Sequence, residues 1–380
     1  MSTGSEPLSI ADSKTYLPYI DGLRGIAVLM VLAVHTSQRV GNIAPGSFHF
    51  SIVEELINAG ARGVELFFLL SAFTLFRSSK VKYDEELNPR RNFYIRRAFR
   101  ILPMWWSAIT LYTLFGGGTF GASIPSYLMY FGFIRFLPGV DVFPLGWTIF
   151  VEETFYLFLP LIFGFIANIR RAGLFFILAL ALSIIWKELT YHFDISNQNA
   201  FVELFPLNHW YGFALGILLF YAQDNEFVKH RILQNSRSWW ILDVLTVFVL
   251  FFVVRESRAA ASFGLALFFL VTSSEYTILG KMCRLKLLKY FGVCCYSIYL
   301  LHFFVLDSTD GLKQQLLDFL GLGDASVEIR FLIWFPIVAL INLMLGMLLF
   351  RYLEKPCVQL SKKVIHTLEM RRLATIQNQP

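Results

Sequence analysis

The stretch DGLRGIAVLMVLAVH at 21–35 constrains the chain more than any other. It is an apolar run with an arginine near one end and a histidine near the other. A charge at the centre of a membrane helix costs about 2.5–3.5 kcal/mol on insertion scales, so such residues are rare there and face the protein interior. On an α-helix the eleven-residue step from Arg24 to His35 turns through about 1100°, three turns plus roughly 20°. The two side chains therefore share a face, about 16 Å apart along the axis. One cation and one proton acceptor look into the same interior.

The rest of the chain supports a membrane setting. Of 380 residues, 56% are hydrophobic and only 16% charged, where a soluble domain carries about 25% charged residues. Mean hydropathy is +0.58. The 40 phenylalanines suit lipid-facing and interfacial surfaces. The net charge of +6 does not point to nucleic acid, because the basic residues sit in short loops between apolar runs. The first 14 residues hold a single Lys and lack the basic, apolar and small-residue segments of a signal peptide, so the first run reads as a retained span. Cys283, Cys294, Cys295 and Cys357 have no zinc-ligand spacing, so no metal is expected, and reduced thiols are the default for their assigned cytosolic side.

These features predict an all-α polytopic membrane bundle of about ten transmembrane helices, with both termini cytosolic. The spans fall at roughly 19–38, 57–76, 98–115, 148–168, 173–190, 206–222, 239–254, 260–279, 290–307 and 331–350. The stretch 124–138 is short and contains Arg135, so it reads as an interfacial or re-entrant segment. This arrangement puts 24 of the 33 Lys and Arg inside, as the positive-inside bias requires. The expected organisation is a cytosolic tail at 1–14, a membrane domain at 15–356 and a cytosolic tail at 357–380.

With that topology the polar residues sort by depth. Arg24, Arg97 and Arg100 lie at the inner ends of their spans, and the i, i+3 spacing puts the last two on one helix face. His35 and Glu152 lie near outer ends, with His302 two-thirds of the way up the ninth span. Arginines bind phosphate oxygens bidentately, so the floor suits an anionic cytosolic donor. Histidine can take a hydroxyl proton near neutral pH, and a carboxylate can steady it, so the ceiling suits a polar acceptor from outside. Simple packing roles compete with this scheme: Asp21 pairing with Arg24, Glu65 with Arg62, and Glu152–Glu153 with His209 or Arg135.

The motifs carry a family resemblance. DGLRGIAVLMVLAVH at 21–35, GVELFFLLSAF at 63–73, RAFRILP at 97–103, WTIFVEETFY at 147–156, YSIYLLH at 296–302 and EKP at 354–356 occur in family order. Together they resemble the acyltransferase-3 family of bacterial integral-membrane glycan O-acyltransferases. Departures are Glu65 for the usual Asp, Ala72 for Gly and Thr148 for Ser. Ala72 bears on acyl-chain size if it crowds the chamber. The resemblance implies a cytosolic acyl-CoA donor, acetyl-CoA first among them, a glycan hydroxyl acceptor on the outer side, and the bacterial inner membrane. It places Arg24, His35, Arg97 and Arg100 among the family's essential residues, and their charge leads to the expectation that Arg24, Arg97 and Arg100 hold the donor's phosphates. His35 then acts as general base or carries the acyl group, and Glu152 or His302 orients it or the acceptor. The rival reading is a transporter or flippase of an acylated or anionic glycan intermediate.

Overall fold

The computed structural model describes residues 16–41, 60, 62–115, 146–192, 205–223, 239–250 and 258–377, and every regular element among them is helical. The expected interfacial stretch at 124–138, with Arg135, and the tail at 1–14 lie outside the described residues.

Helix α1 (Pro18–Val40) is the hub of the bundle. Proline at its start leaves unfilled only an N–H that has no partner there, and Asp21 in the first turn suits the positive end of the helix. The helix stops at Gly41, whose φ of +108 a residue with a Cβ rarely adopts. Helices α2 (Gly63–Glu85), α3 (Pro89–Phe115) and α4 (Gly146–Ile162) follow. Helix α5 (Ile169–His192) and a short 3-10 turn at Pro206–Asn208 lead to α6 (Trp210–Gln223). The second half holds α7 (Trp239–Phe248), α8 (Arg258–Ser273), α9 (Ile278–Cys283), α10 (Lys286–Val293) and α11 (Cys295–Ser308). It ends with α12 (Asp310–Phe319), α13 (Val327–Leu349), a π-helical turn at Phe350–Glu354 and α14 (Lys355–Gln377).

The glycines of the opening motif have a packing reason. A Cβ on Gly22 would lie 1.7 Å from the carbonyl oxygen of Cys283, and one on Gly292 would lie 1.7 Å from that of Asp21. The start of α1 therefore meets α9 and α10 backbone to backbone, a closeness that only glycine permits. This contact fixes the level at which Asp21 and Arg24 enter the interior.

Among the described residues three helices are long and apolar enough to cross a membrane, or four if α10 and α11 count as one bent span. Leu174, Ile177, Leu178, Leu182 and Ile185 of α5 are exposed. Such an outward apolar face belongs against lipid. The protein is a multi-pass membrane protein.

Three boundaries differ from the sequence expectation. The run at 290–307 is not one straight helix, since α10 and α11 meet at an 80° bend. The span at 98–115 is part of a helix that begins at Pro89, so Arg97 and Arg100 sit well inside α3. The chain at 357–380 is not a loose tail: α13, the π turn and α14 run on as one 51-residue helical segment, Val327–Gln377. Helix α14 packs on α3, where Glu369 Oε1 accepts from Asn92 Nδ2 at 2.8 Å and from the Leu87 N–H at 3.1 Å. Asn92 is fully buried. Removing a partner of a buried amide costs about 1–3 kcal/mol. The expected result of Glu369→Ala is faster tryptic cleavage after Lys362 and Lys363, while cleavage elsewhere keeps its rate.

Candidate active site

A cavity of about 280 Å³ opens between α1, α2, α3, α4, α11 and the start of α14. A second depression, lined by Tyr83, Arg96 and Phe163 among others, holds only about 20 Å³, too little for more than a water. Seven Lys or Arg side chains line the larger cavity against two carboxylates, Asp21 and Glu152.

Arg24 is held in place from two sides. Its Nη1 donates to Asp21 Oδ1 at 3.3 Å and its Nη2 to Thr74 Oγ1 at 3.0 Å. Arg97 and Arg100 enter from α3, one helical turn apart. Arg97 stacks over the Tyr156 ring at 5.5 Å. Among the described residues neither Arg97 nor Arg100 is in an ion pair, and Glu354 and Glu152 supply opposite charge only at longer range. Partly buried guanidinium groups without a direct counter-ion favour an incoming anion.

Glu152 does not stand beside the histidines, as the depth assignment expected. Its Oε1 accepts from Ser71 Oγ at 2.8 Å and from the Tyr156 hydroxyl, so it belongs to the arginine end of the cavity. Counting residues along the run at 148–168 placed it near an outer end, whereas α4 is only 17 residues long and Glu152 faces this cavity.

His35 and His302 come together instead. Their ring centroids are 5.1 Å apart, and Phe303 lies 4.4 Å from His35 and 4.6 Å from His302. His35 Nδ1 is 3.0 Å from Gln38 Oε1, and His302 Nδ1 is 2.7 Å from the Tyr299 carbonyl. The Tyr299 carbonyl only accepts, so His302 Nδ1 carries the proton and its Nε2 keeps the basic lone pair, and Gln38 Oε1 facing His35 Nδ1 favours the same tautomer there. His302 is buried, and its Nε2 has no partner among the described residues.

Neither histidine lines the cavity, so the expectation that Arg24 and His35 look into one undivided space needs correction. Tyr299 stands between the two regions. Its hydroxyl pairs with Thr148 Oγ1 at 2.7 Å, its ring meets Phe67 edge to face at 6.0 Å, and its carbonyl holds His302. Thr148, a departure from the family motif, keeps the hydroxyl that makes this bond.

The packing role of Glu65 is filled, as is that of Asp21, which pairs with Arg24. Glu65 pairs with Arg62 at 2.8 Å and accepts from the Tyr211 hydroxyl at 2.6 Å, away from the cavity lining. Ala72 is buried and lies within reach of a side chain at Gly216 on α6, again off the lining, so it does not set acyl-chain size there.

Sequence reading missed the hydroxyls and one carboxylate. Ser71, Thr74, Ser78 and Lys82 line the cavity at steps of three and four along α2, a polar stripe in an otherwise apolar helix. Glu354, inside the EKP motif, is buried in the π turn, accepts from Ser297 Oγ and faces the charge of Arg100. A carboxylate closing a long apolar run was the available signal.

Residues 17–353 match the acyltransferase domain family. The chain belongs to the acyltransferase 3 family. This acyltransferase is 24% identical over 318 residues to Nodulation protein 10 of Rhizobium leguminosarum bv. viciae, covering 74% of this chain and 82% of the relative. It is 23% identical over 332 residues to a Staphylococcus aureus (strain COL) protein named "Putative O-acetyltransferase", covering 77% and 51%. It is 25% identical over 323 residues to a Bacillus subtilis (strain 168) protein named "Putative peptidoglycan O-acetyltransferase", covering 76% and 48%. The acyltransferase thus spans about half the length of the staphylococcal and Bacillus relatives. No solved structure matches it.

Proposed function

We propose that this acyltransferase moves an acetyl group from cytosolic acetyl-CoA to a hydroxyl of a glycan on the outer side of a bacterial inner membrane. The chain would cross about ten times with both termini inside, residues 15–356 forming the membrane domain. The observation that carries the reading is that Arg24, Arg97 and Arg100 line one cavity, two of them without an ion-pair partner among the described residues. Guanidinium groups of this kind suit the phosphates of a nucleotide-bearing thioester. The names of the staphylococcal and Bacillus relatives support O-acetylation and a glycan acceptor.

In this mechanism the phosphates stay on the arginines while the thioester arm reaches between Phe67 and Tyr299, the phenol swinging off Thr148. Nε2 of His35 takes the proton of the acceptor hydroxyl. The acceptor oxygen then bonds to the acyl carbon, the carbon–sulfur bond breaks, and the thiolate leaves with the proton returned by the imidazolium. His302 stacks behind His35 and steadies its orientation. Glu152, far from this proton, orders Ser71 and Tyr156 around the donor.

The test uses inverted membrane vesicles from cells with and without the protein, supplied with acetyl-labelled acetyl-CoA. The expected result is a base-labile label in the glycan fraction that depends on the protein. Equal labelling in both vesicle sets would refute the reading.

A further inference from the structure

The mouth of the cavity carries cations that the transfer step leaves unused. The polar stripe of α2 gives a depth scale. Ser71 sits with Glu152, Thr74 holds Arg24, and Lys82 lies eight residues beyond Thr74, about 12 Å further out along the helix. Lys362, from α14, lines the same cavity, with Val358 and Ser361 beside it. Lys362 has no partner among the described residues and is exposed at the rim. Arg96, nearby, is already paired with Glu86 at 2.5 Å.

We propose that Lys82 and Lys362 form a second phosphate subsite, which holds the phosphate on the ribose of the donor's nucleoside and makes α14 a donor-recognition element. The inference rests on the acyl-CoA reading above. The order of groups along such a donor decides the assignment. Its thioester must point inward, so the pyrophosphate lies deep, at Arg24, Arg97 and Arg100, and the nucleoside with its separate phosphate lies outward. A lysine is a flexible point charge on a long stem, which suits one exposed phosphate, whereas the deeper guanidinium groups suit a rigid bidentate grip. The same assignment explains why α14 is pinned to α3 by Glu369: an element that completes a binding site must hold its register.

Binding of coenzyme A and of 3′-dephospho-coenzyme A to the full-length protein in nanodiscs tests this, with no acceptor needed. The wild-type protein should bind coenzyme A about tenfold or more tightly than the dephospho form, the low end for a charge-assisted hydrogen bond. In Lys362→Ala that ratio should fall toward one, through loss of coenzyme A affinity, and Lys362→Arg should restore most of it. A wild-type ratio near one overturns the subsite, as does a ratio unchanged in both Lys362→Ala and the Lys82→Ala, Lys362→Ala double variant. In either case bound coenzyme A would leave the donor reading standing. Wild-type protein that binds neither compound overturns the donor reading and the subsite together.

Discussion

His35→Ala should lose transfer by about 10²–10⁴-fold, the span that a positioned general base contributes, and should still bind coenzyme A as the wild type does. The geometry separates these two outcomes. His35 lies beyond Tyr299 and off the cavity that holds the arginines, so deleting its ring removes no contact to the phosphate-bearing part of the donor. Its Nδ1 is committed to Gln38, which leaves Nε2 for chemistry. His302→Ala should cost less, because that ring supports His35 and its Nδ1 is spent on a backbone carbonyl. Transfer rate and coenzyme A affinity, measured on the same nanodisc preparation, check the pair. Full transfer by His35→Ala would remove the imidazole from the mechanism. Acid-quenched wild-type protein, loaded with labelled acetyl-CoA without acceptor, decides between direct transfer and an acyl-histidine: only the covalent route leaves label on the chain.

Gly292→Val should be the most damaging substitution away from the chemistry. Even the first carbon of its side chain would overlap the Asp21 carbonyl oxygen, a backbone atom that no rotamer change can move aside. Ordinary overpacking costs about 1–3 kcal/mol, so a backbone-to-backbone clash should exceed that range. The predicted readout is loss of the monodisperse peak on gel filtration in detergent, together with loss of coenzyme A binding as Asp21 and Arg24 are displaced. Gly173→Ala, on α5 with no atom near its added carbon, is the contrasting case. It should be neutral or stabilise by about 0.5–1 kcal/mol, since alanine suits a helix interior better. Equal melting temperatures for the two variants would refute the close-contact argument.

What the sequence made legible followed from helical spacing and charge. Three turns separate Arg24 from His35, and one turn separates Arg97 from Arg100; both steps fall within continuous helices. The Asp21–Arg24 and Arg62–Glu65 pairs could be read from their i, i+3 spacing. Depth was less legible. Glu152 was assigned by counting along its apolar run, and counting cannot show which wall a short helix turns toward. The bend at Cys294 had no signal of its own, because the apolar run continues through it and the residues flanking it, Phe291 to Val293 and Cys295, are buried. The docking of α14 was masked by its many charges. Its inner face could have been read from Val358, Ser361, Ile365 and Leu368, at steps of three and four, of which Ser361 and Ile365 are buried.

The rod formed by α13, the π turn and α14 has a consequence for what moves across the bilayer. Glu354 stands 27 residues past Val327, about 40 Å along the axis, while the hydrocarbon layer is only about 30 Å thick. The rod is therefore longer than the layer is thick, and on the acyl-CoA reading the arginine end would sit at the water's edge, where the multiply charged carrier would remain in solution throughout a turnover. On that reading only its slim neutral arm would have to dip into the greasy layer, and only the acyl fragment would have to be handed over. A protein working in this way would export chemical bonds without exporting the molecule that supplied them.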